Sequence, residues 1–84
     1  MILAVDIGNS QIVLGYMEGL EIRKIARMAT DVTRTSDEYA VAIQQIMAFD
    51  DVDCHSFEGV IISSVVTPLT ETMTQPLTTS FTAP

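Results

Sequence analysis

The sequence predicts an α/β domain, a three-stranded antiparallel meander followed by helix, strand and helix. Three observations predict it. Strand-like runs occupy residues 1–7, 11–17 and 20–28, separated only by short turn-forming stretches around Gly8-Asn9 and Glu18-Gly19. Between Tyr39 and Met47 the apolar spacing lengthens to that of a helix face. A run rich in β-branched residues at 59–66 then restores a strand pattern.

The elements follow in order. Ile2, Leu3, Ala4, Val5 and Ile7 make an almost unbroken apolar strand whose one polar residue, Asp6, stands at its end. That pattern predicts a central strand buried on both faces. Gly8-Asn9 tolerates positive φ and permits a sharp reversal into the second strand, centred on Ile12, Val13 and Leu14. Residues 20–28 alternate imperfectly, Leu20, Ile22 and Lys24 against Glu21, Arg23 and Ile25, which predicts an edge strand with one wet face. Residues 29–35 are polar and form a loop. Thr35 and Glu38 then stand in capping-box spacing, with Asp37 adding negative charge to the first helical turn. Tyr39, Ala42, Ile43, Ile46 and Met47 line one face of that helix, and Asp50-Asp51 with the polar residues to Ser56 end it. After the fourth strand, Thr67 is the expected N-cap and Pro68 the first residue of a second helix. Pro76 disfavours helical geometry in the residue before it, so this helix is expected to stop at Gln75. Residues 1–75 thus form the organised part and 76–84 an irregular tail. A helical crossover should lay the fourth strand parallel to the first. The arrangement resembles the opening half of a ribonuclease H-like domain.

Composition narrows the function. A hydrophobic content of 48% supports a core, and a formal charge of −7 with only four Lys and Arg argues against a nucleic-acid surface. A small phosphorylated ligand remains compatible, since backbone N–H groups and a metal ion hold phosphate without a basic patch. One cysteine, Cys54, allows no internal disulfide, and with one histidine, His55, it makes a poor zinc set. Their adjacency fits a plain loop better than a nucleophile pair. No run reaches membrane-spanning length, and the N-terminus lacks a basic leader, so a cytoplasmic location is expected.

The residues that suggest chemistry are Asp6-Ile7-Gly8-Asn9-Ser10, followed by Gln11, where the first strand turns into the second. A carboxylate there suits Mg²⁺, a hard cation that shares carboxylate and phosphate oxygens. Gly8 lets backbone approach a phosphate, and the amides and side chains of Asn9 and Ser10 can donate to its oxygens. Phosphoryl transfer depends mostly on such positioning and charge neutralisation. The same pentapeptide also makes a good hairpin turn with Asp6 accepting from turn amides, and the residues alone leave both readings open. It is not a Walker loop, because no G-K-[ST] follows.

Three ordered stretches resemble the type III pantothenate kinases, members of the actin-like ATPase superfamily. Residues 2–10 are similar to that family's first phosphate motif, D-x-G-N-[ST]. Thr30-Asp31 with Arg34-Thr35-Ser36-Asp37-Glu38-Tyr39 resembles its R-T-x-D-E-Y segment. Residues 61–70 resemble its I-S-S-V-V-P-P-L-T stretch, with Thr67 in place of the first proline. The resemblance spans residues 1 to about 71 and implies an actin-like ATPase half-domain. It implies transfer of the ATP γ-phosphate to pantothenate, with Mg²⁺ and potassium or ammonium as cofactors, by a cytoplasmic homodimer without nucleic-acid or membrane partners. By position, Asp6 is expected to serve the metal, and Asp6, Ile7, Gly8, Asn9, Ser10 and Gln11 to line the phosphate site. Gln11 departs from a frequent asparagine. The family's second phosphate motif, G-x-D-R, which carries its catalytic aspartate, has no counterpart here, so no catalytic residue is assigned. The chain alone is expected to be inactive. The alternative is a non-catalytic relative or truncated relic acting as a binding or transcriptional accessory module.

Arg34 is expected to pair with Asp31 or Asp37 rather than with phosphate. Asp37 and Glu38 point about 100° apart on a helix and are expected to cap it rather than share a target. Ser63 and Ser64 are expected to serve packing and turns.

Overall fold

The computed structural model describes residues 1–80, with the backbone alone for 75, 76 and 78–80. Its elements are β1 (Ile2–Ile7), β2 (Gln11–Glu18), β3 (Glu21–Ala29), α1 (Ser36–Phe49), β4 (Gly59–Ser64) and α2 (Thr67–Ser80). One sheet runs in the order β3-β2-β1-β4. Its first three strands pair antiparallel, and β4 lies parallel to β1. The expected meander and crossover strand are therefore present.

Register decides which side chains share a face. Leu3, Val5 and Ile7 on β1 stand beside Tyr16, Leu14 and Ile12 on β2 and beside Val60, Ile62 and Ser64 on β4. The six hydrophobic residues of β1 and β2 in these rows are buried. They form one cluster with Tyr39, Ile43 and Met47 of α1 and with Leu69, Met73 and Leu77 of α2. Each helix contributes residues spaced four apart, which stack along one helical face. The expectation that β1 is buried on both faces is corrected. Both helices cover the same side of the sheet, so Ile2 and Ala4 are half-buried and Asp6 is exposed on the other side.

The imperfect alternation of β3 has a definite cause. Tyr16 pairs with Lys24 and Met17 with Ile22, so Arg23 is a bulged residue and the strand changes phase there. The bulge places Ile22 and Ile25 on the same face although they are three residues apart. It also leaves Lys24 on the core side, where its Nζ lies 3.2 Å from Asp50 Oδ1. Gly19, at φ 63°, makes the left-handed turn between β2 and β3 that other residues adopt at a cost.

At the start of α1 the Thr35 hydroxyl accepts from the Glu38 N–H, and the Glu38 carboxylate accepts from the Thr35 N–H, so the capping box is complete. The helix ends with Asp51 at φ 60°, its N–H on the Ala48 carbonyl and the Val52 N–H on the Met47 carbonyl. This is a Schellman motif with aspartate in the left-handed position that glycine usually holds.

The second helix departs from expectation at both ends. The Thr70 N–H bonds to the Val66 carbonyl, so Val66 occupies the cap position expected for Thr67, and Pro68 sits one residue deeper. At its other end α2 continues through Pro76 to Ser80, and the irregular tail expected from residue 76 is corrected over 76–80; residues 81–84 lie outside the described residues. Proline at 76 has no N–H for the Thr72 carbonyl, an omission that ordinarily weakens a helix. Here Ser36 Oγ donates to that carbonyl at 2.7 Å. A side chain from α1 thus replaces the bond the proline removes, and Leu77 stays in the core. Ser36→Ala is expected to lower stability by about 1–2 kcal/mol through the unsatisfied carbonyl, measurable by urea denaturation. An unchanged midpoint would show that water satisfies Thr72 equally well.

Candidate functional site

The bend between β1 and β2 is built from the carboxyl end of β1. Asp6 is the last exposed residue of that strand, its side chain on the uncovered face of the sheet. Ile7 follows with its side chain fully in the core, so it anchors the bend and offers a ligand no side chain. Gly8, Asn9 and Ser10 make the reversal, and the Gly8 N–H closes it on the Gln11 carbonyl at 3.0 Å. The need for glycine differs from the expected one. Gly8 does not adopt positive φ; instead, a Cβ at this position would lie 3.0 Å from the Gln11 carbonyl oxygen. A side chain would therefore press on the Gln11 carbonyl, which would have to give by a few tenths of an ångström. Asn9, Ser10 and Gln11 are exposed.

The segments that seemed separate in sequence converge on this bend. Thr30 Oγ1 donates to the Gly8 carbonyl at 2.7 Å, and the Thr30 N–H to the Ser10 carbonyl at 3.1 Å. The Val65 N–H, just beyond β4, donates to the Ile7 carbonyl at 3.1 Å. Thr30 is held in turn through Asp31, whose carbonyl accepts from the Tyr39 hydroxyl at 2.6 Å and whose N–H donates back to that hydroxyl at 2.9 Å. Three carbonyls of the bend are thus committed to the protein. The N–H groups of Asn9 and Ser10 have no acceptor among the described residues. A turn with these carbonyls tied back and two amides without an acceptor among the described residues is suited to an anion. Thr30 and Tyr39 stand in the sequence only as parts of two motifs, and their spacing gives no sign that they meet the first turn.

The neighbouring residues mostly behave structurally. Arg34 Nε lies 4.0 Å from Asp31 Oδ2, with its guanidinium 5.7 Å from the centre of the Tyr39 ring, in line with the expected pairing. Hydrogen bonds from the Thr33 hydroxyl and N–H hold the Asp31 carboxyl below its usual range, with Arg34 adding to the effect. Glu38 caps its helix. Ser64 accepts from the Val66 N–H and donates to the Val66 carbonyl, which fixes the approach to α2. Cys54 is half-buried beside the core, and His55 is exposed. Ser63 is the register partner of Asp6 across the parallel β1–β4 pair and is exposed. The carboxyl ends of β1 and β4 therefore lie side by side next to the bend, the usual position of ligands in open α/β sheets.

Among the described residues no group of three or more His, Cys, Asp or Glu is placed to hold a metal by itself. This does not count against Mg²⁺, which typically takes one or two protein carboxylates and completes its shell with water and phosphate oxygens. The exposed Asp6 fits that role. A groove of about 520 Å³ lies elsewhere, between β3 and α1, lined by residues including Met28, Arg34, Ile46 and Phe49, and by none of residues 6–11. The bend is open at the edge of the chain rather than enclosed.

A β-hairpin carrying an acid and a glycine bend, joined through a helical crossover to a parallel strand, is the opening half of an actin-like ATPase domain. The comparisons with known proteins narrow this class. The family model for type III pantothenate kinase matches residues 2–84. A type III pantothenate kinase of Moorella thermoacetica is 38% identical over 78 residues, 93% of this chain and 31% of the relative. One of Pelobacter propionicus is 44% identical over 73 residues, 87% of this chain and 29% of the relative. One of Bifidobacterium longum subsp. infantis is 46% identical over 66 residues, 79% of this chain and 26% of the relative. The chain belongs to the type III pantothenate kinase family. It spans less than a third of the length of these relatives.

Proposed function

We propose that this chain supplies the phosphate-binding turn of a kinase that transfers the γ-phosphate of ATP to pantothenate, giving 4′-phosphopantothenate, the first step towards coenzyme A. The observation that carries the reading is the exposed Asp6 carboxylate two residues before a bend whose Ile7, Gly8 and Ser10 carbonyls are tied back and whose Asn9 and Ser10 amides have no acceptor among the described residues. In this reading the amides and hydroxyl of the bend hold nucleotide phosphate oxygens. Asp6 holds Mg²⁺, which when bound neutralises phosphate charge during transfer. Thr30 and Tyr39 keep the bend in shape before the ligand arrives, so little order has to be imposed on binding. Ile7 acts from below, through its buried side chain and the bond its carbonyl accepts from Val65. The monovalent cation, the homodimer and a cytoplasmic location belong to the same reading; no residue here is assigned to the cation. The chain by itself is expected to form no ADP with pantothenate, because none of its residues is assigned as the general base.

The test is Asp6→Asn. With Mg·ATP at ten times its dissociation constant, the wild-type chain should gain about 1.4 kcal/mol, a rise in Tm of roughly 6–11 °C. Asp6→Asn should keep the fold and lose the Mg²⁺-dependent part of that gain. An undiminished gain would make Asp6 a turn residue only.

A further inference from the structure

We infer that Arg27 extends the phosphate site beyond the bend, its guanidinium taking oxygens of the same phosphate chain whose metal Asp6 serves. The inference rests on the phosphate reading of the bend and adds to it a residue outside the three motif stretches. Register sets the placement. Asp6 pairs with Val13 on one side and with Ser63 on the other, and Val13 pairs with Arg27. Ser63, Asp6, Val13 and Arg27 therefore form one row across all four strands. Ala26 and Met28, which flank Arg27 in the chain, pack against the core, so strand alternation turns Arg27 to the uncovered face with Asp6. On that face this is the last row that all four strands share before the bend. Below it, the rows through Ala4 and Ile2 carry no polar side chain. A hydroxyl, a carboxylate and a guanidinium are thus gathered where the face meets the bend.

The charge balance indicates what Arg27 binds. In a chain of formal charge −7, a cationic side chain has many carboxylates to choose from. Arg23, Lys24 and Arg34 each lie within 4.0 Å of one, on Glu21, Asp50 and Asp31 respectively. Arg27 is the remaining Lys or Arg, is exposed, and has no carboxylate within that distance among the described residues. Asp6 shares its row without adjoining it. Val13 intervenes, and two strand spacings put roughly 10 Å between the two backbones. Each charge is therefore kept for a ligand instead of being spent on the other. A carboxylate and a guanidinium held one strand apart complement a metal–phosphate ligand, in which a cation lies next to anionic oxygens. The planar fork of arginine suits phosphate in particular, because it donates two parallel N–H bonds to a pair of oxygens.

The test follows the Arg27 Nε–H in the ¹⁵N-labelled 84-residue chain as Mg·ATP is added. That signal should shift with the same dissociation constant as the Asn9 and Ser10 amides. Arg27→Gln should weaken Mg·ATP binding roughly fivefold or more and make the affinity less sensitive to salt. Its Tm without ligand should stay within about 2 °C of the wild type, since the side chain is exposed. Arg27→Lys, which keeps the charge and loses the fork, should recover part of the affinity. Adenosine, which has no phosphate, should not distinguish Arg27→Gln from the wild type. Bend amides that shift while the Arg27 Nε–H does not, and Mg·ATP affinity unchanged in Arg27→Gln, would overturn this inference and leave the phosphate reading standing. An equal loss of adenosine affinity would overturn it too, since Arg27 would then serve the base. Absence of shifts at both the bend and Arg27 would overturn both. The wild-type Nε–H readout needs no variant, so a variant that fails to fold leaves the test intact.

Discussion

Phe57→Ala is expected to cost this chain about 3–5 kcal/mol, the usual range for deleting a buried aromatic side chain. Phe57 lies in the connection between α1 and β4 yet has no exposed surface, and its ring centre is 6.1 Å from that of Tyr16 at a 37° tilt. It belongs to the same core cluster as the buried faces of both helices. A domain of this length has about 4–13 kcal/mol in total to lose. The variant should therefore be largely unfolded or melt far below the wild type, as read by urea denaturation monitored by circular dichroism. A loss under about 1 kcal/mol would mean that the core closes over the gap, contrary to the tight packing usual of protein interiors.

Asp50→Ala should have the next largest effect on stability. The Asp50 carboxylate accepts from the Tyr16 hydroxyl at 3.0 Å and lies 3.2 Å from Lys24 Nζ, with only 7% of its side chain exposed. It ties the end of α1 to β2 and β3 at once. Removing it leaves a phenol with no acceptor at the edge of the core, at a cost of about 2–3 kcal/mol; the half-exposed Lys24 adds little, because solvent screens it. Tyr16→Phe should cost less, about 1 kcal/mol, since Asp50 retains Lys24. Burial first, and then the hydrogen bond to Asp50 and its charge, push the Tyr16 hydroxyl well above the ordinary tyrosine range. The folded state thus holds this proton more tightly than the unfolded state. Its contribution is complete below pH ~10 and is lost as pH rises further. Wild-type stability should accordingly fall between pH 9 and 11 by more than that of Tyr16→Phe, in paired denaturation curves. Parallel declines would exclude Tyr16 as the source.

Much of this architecture was legible in the sequence because it rests on local physics. The capping box at Thr35 and Glu38, the helix face from Tyr39 to Met47 and the strand periods each depend on residues within a few positions of one another. The misreadings share the opposite cause. Pro76 was expected to end α2, and locally that expectation is sound. The compensation comes from Ser36, forty residues earlier, and only the packing of α1 on α2 brings it there. Phe57 gave no periodic signal because a single aromatic in a connection has no period. The alternation of β3 looked imperfect until the bulge at Arg23 explained it. At the candidate site, Asp6, Gly8, Asn9 and Ser10 could be named from their residue types. The Thr30 and Tyr39 clamp could not, since it joins positions more than twenty residues apart. At Gly8 the residue type suggests positive φ, whereas in the structure its φ is not positive and the tight spot is the one a Cβ would occupy beside the Gln11 carbonyl.

The central claim is that the bend holds phosphate. The most direct measurement is a titration of the ¹⁵N-labelled 84-residue chain with Mg·ATP, followed amide by amide. The expected result is that shifts concentrate at Gly8, Asn9, Ser10 and Gln11, require Mg²⁺, and disappear in Asp6→Asn. Shifts that instead gather in the groove between β3 and α1, around Met28, Ile46 and Phe49, or that ignore both Mg²⁺ and Asp6, would contradict it.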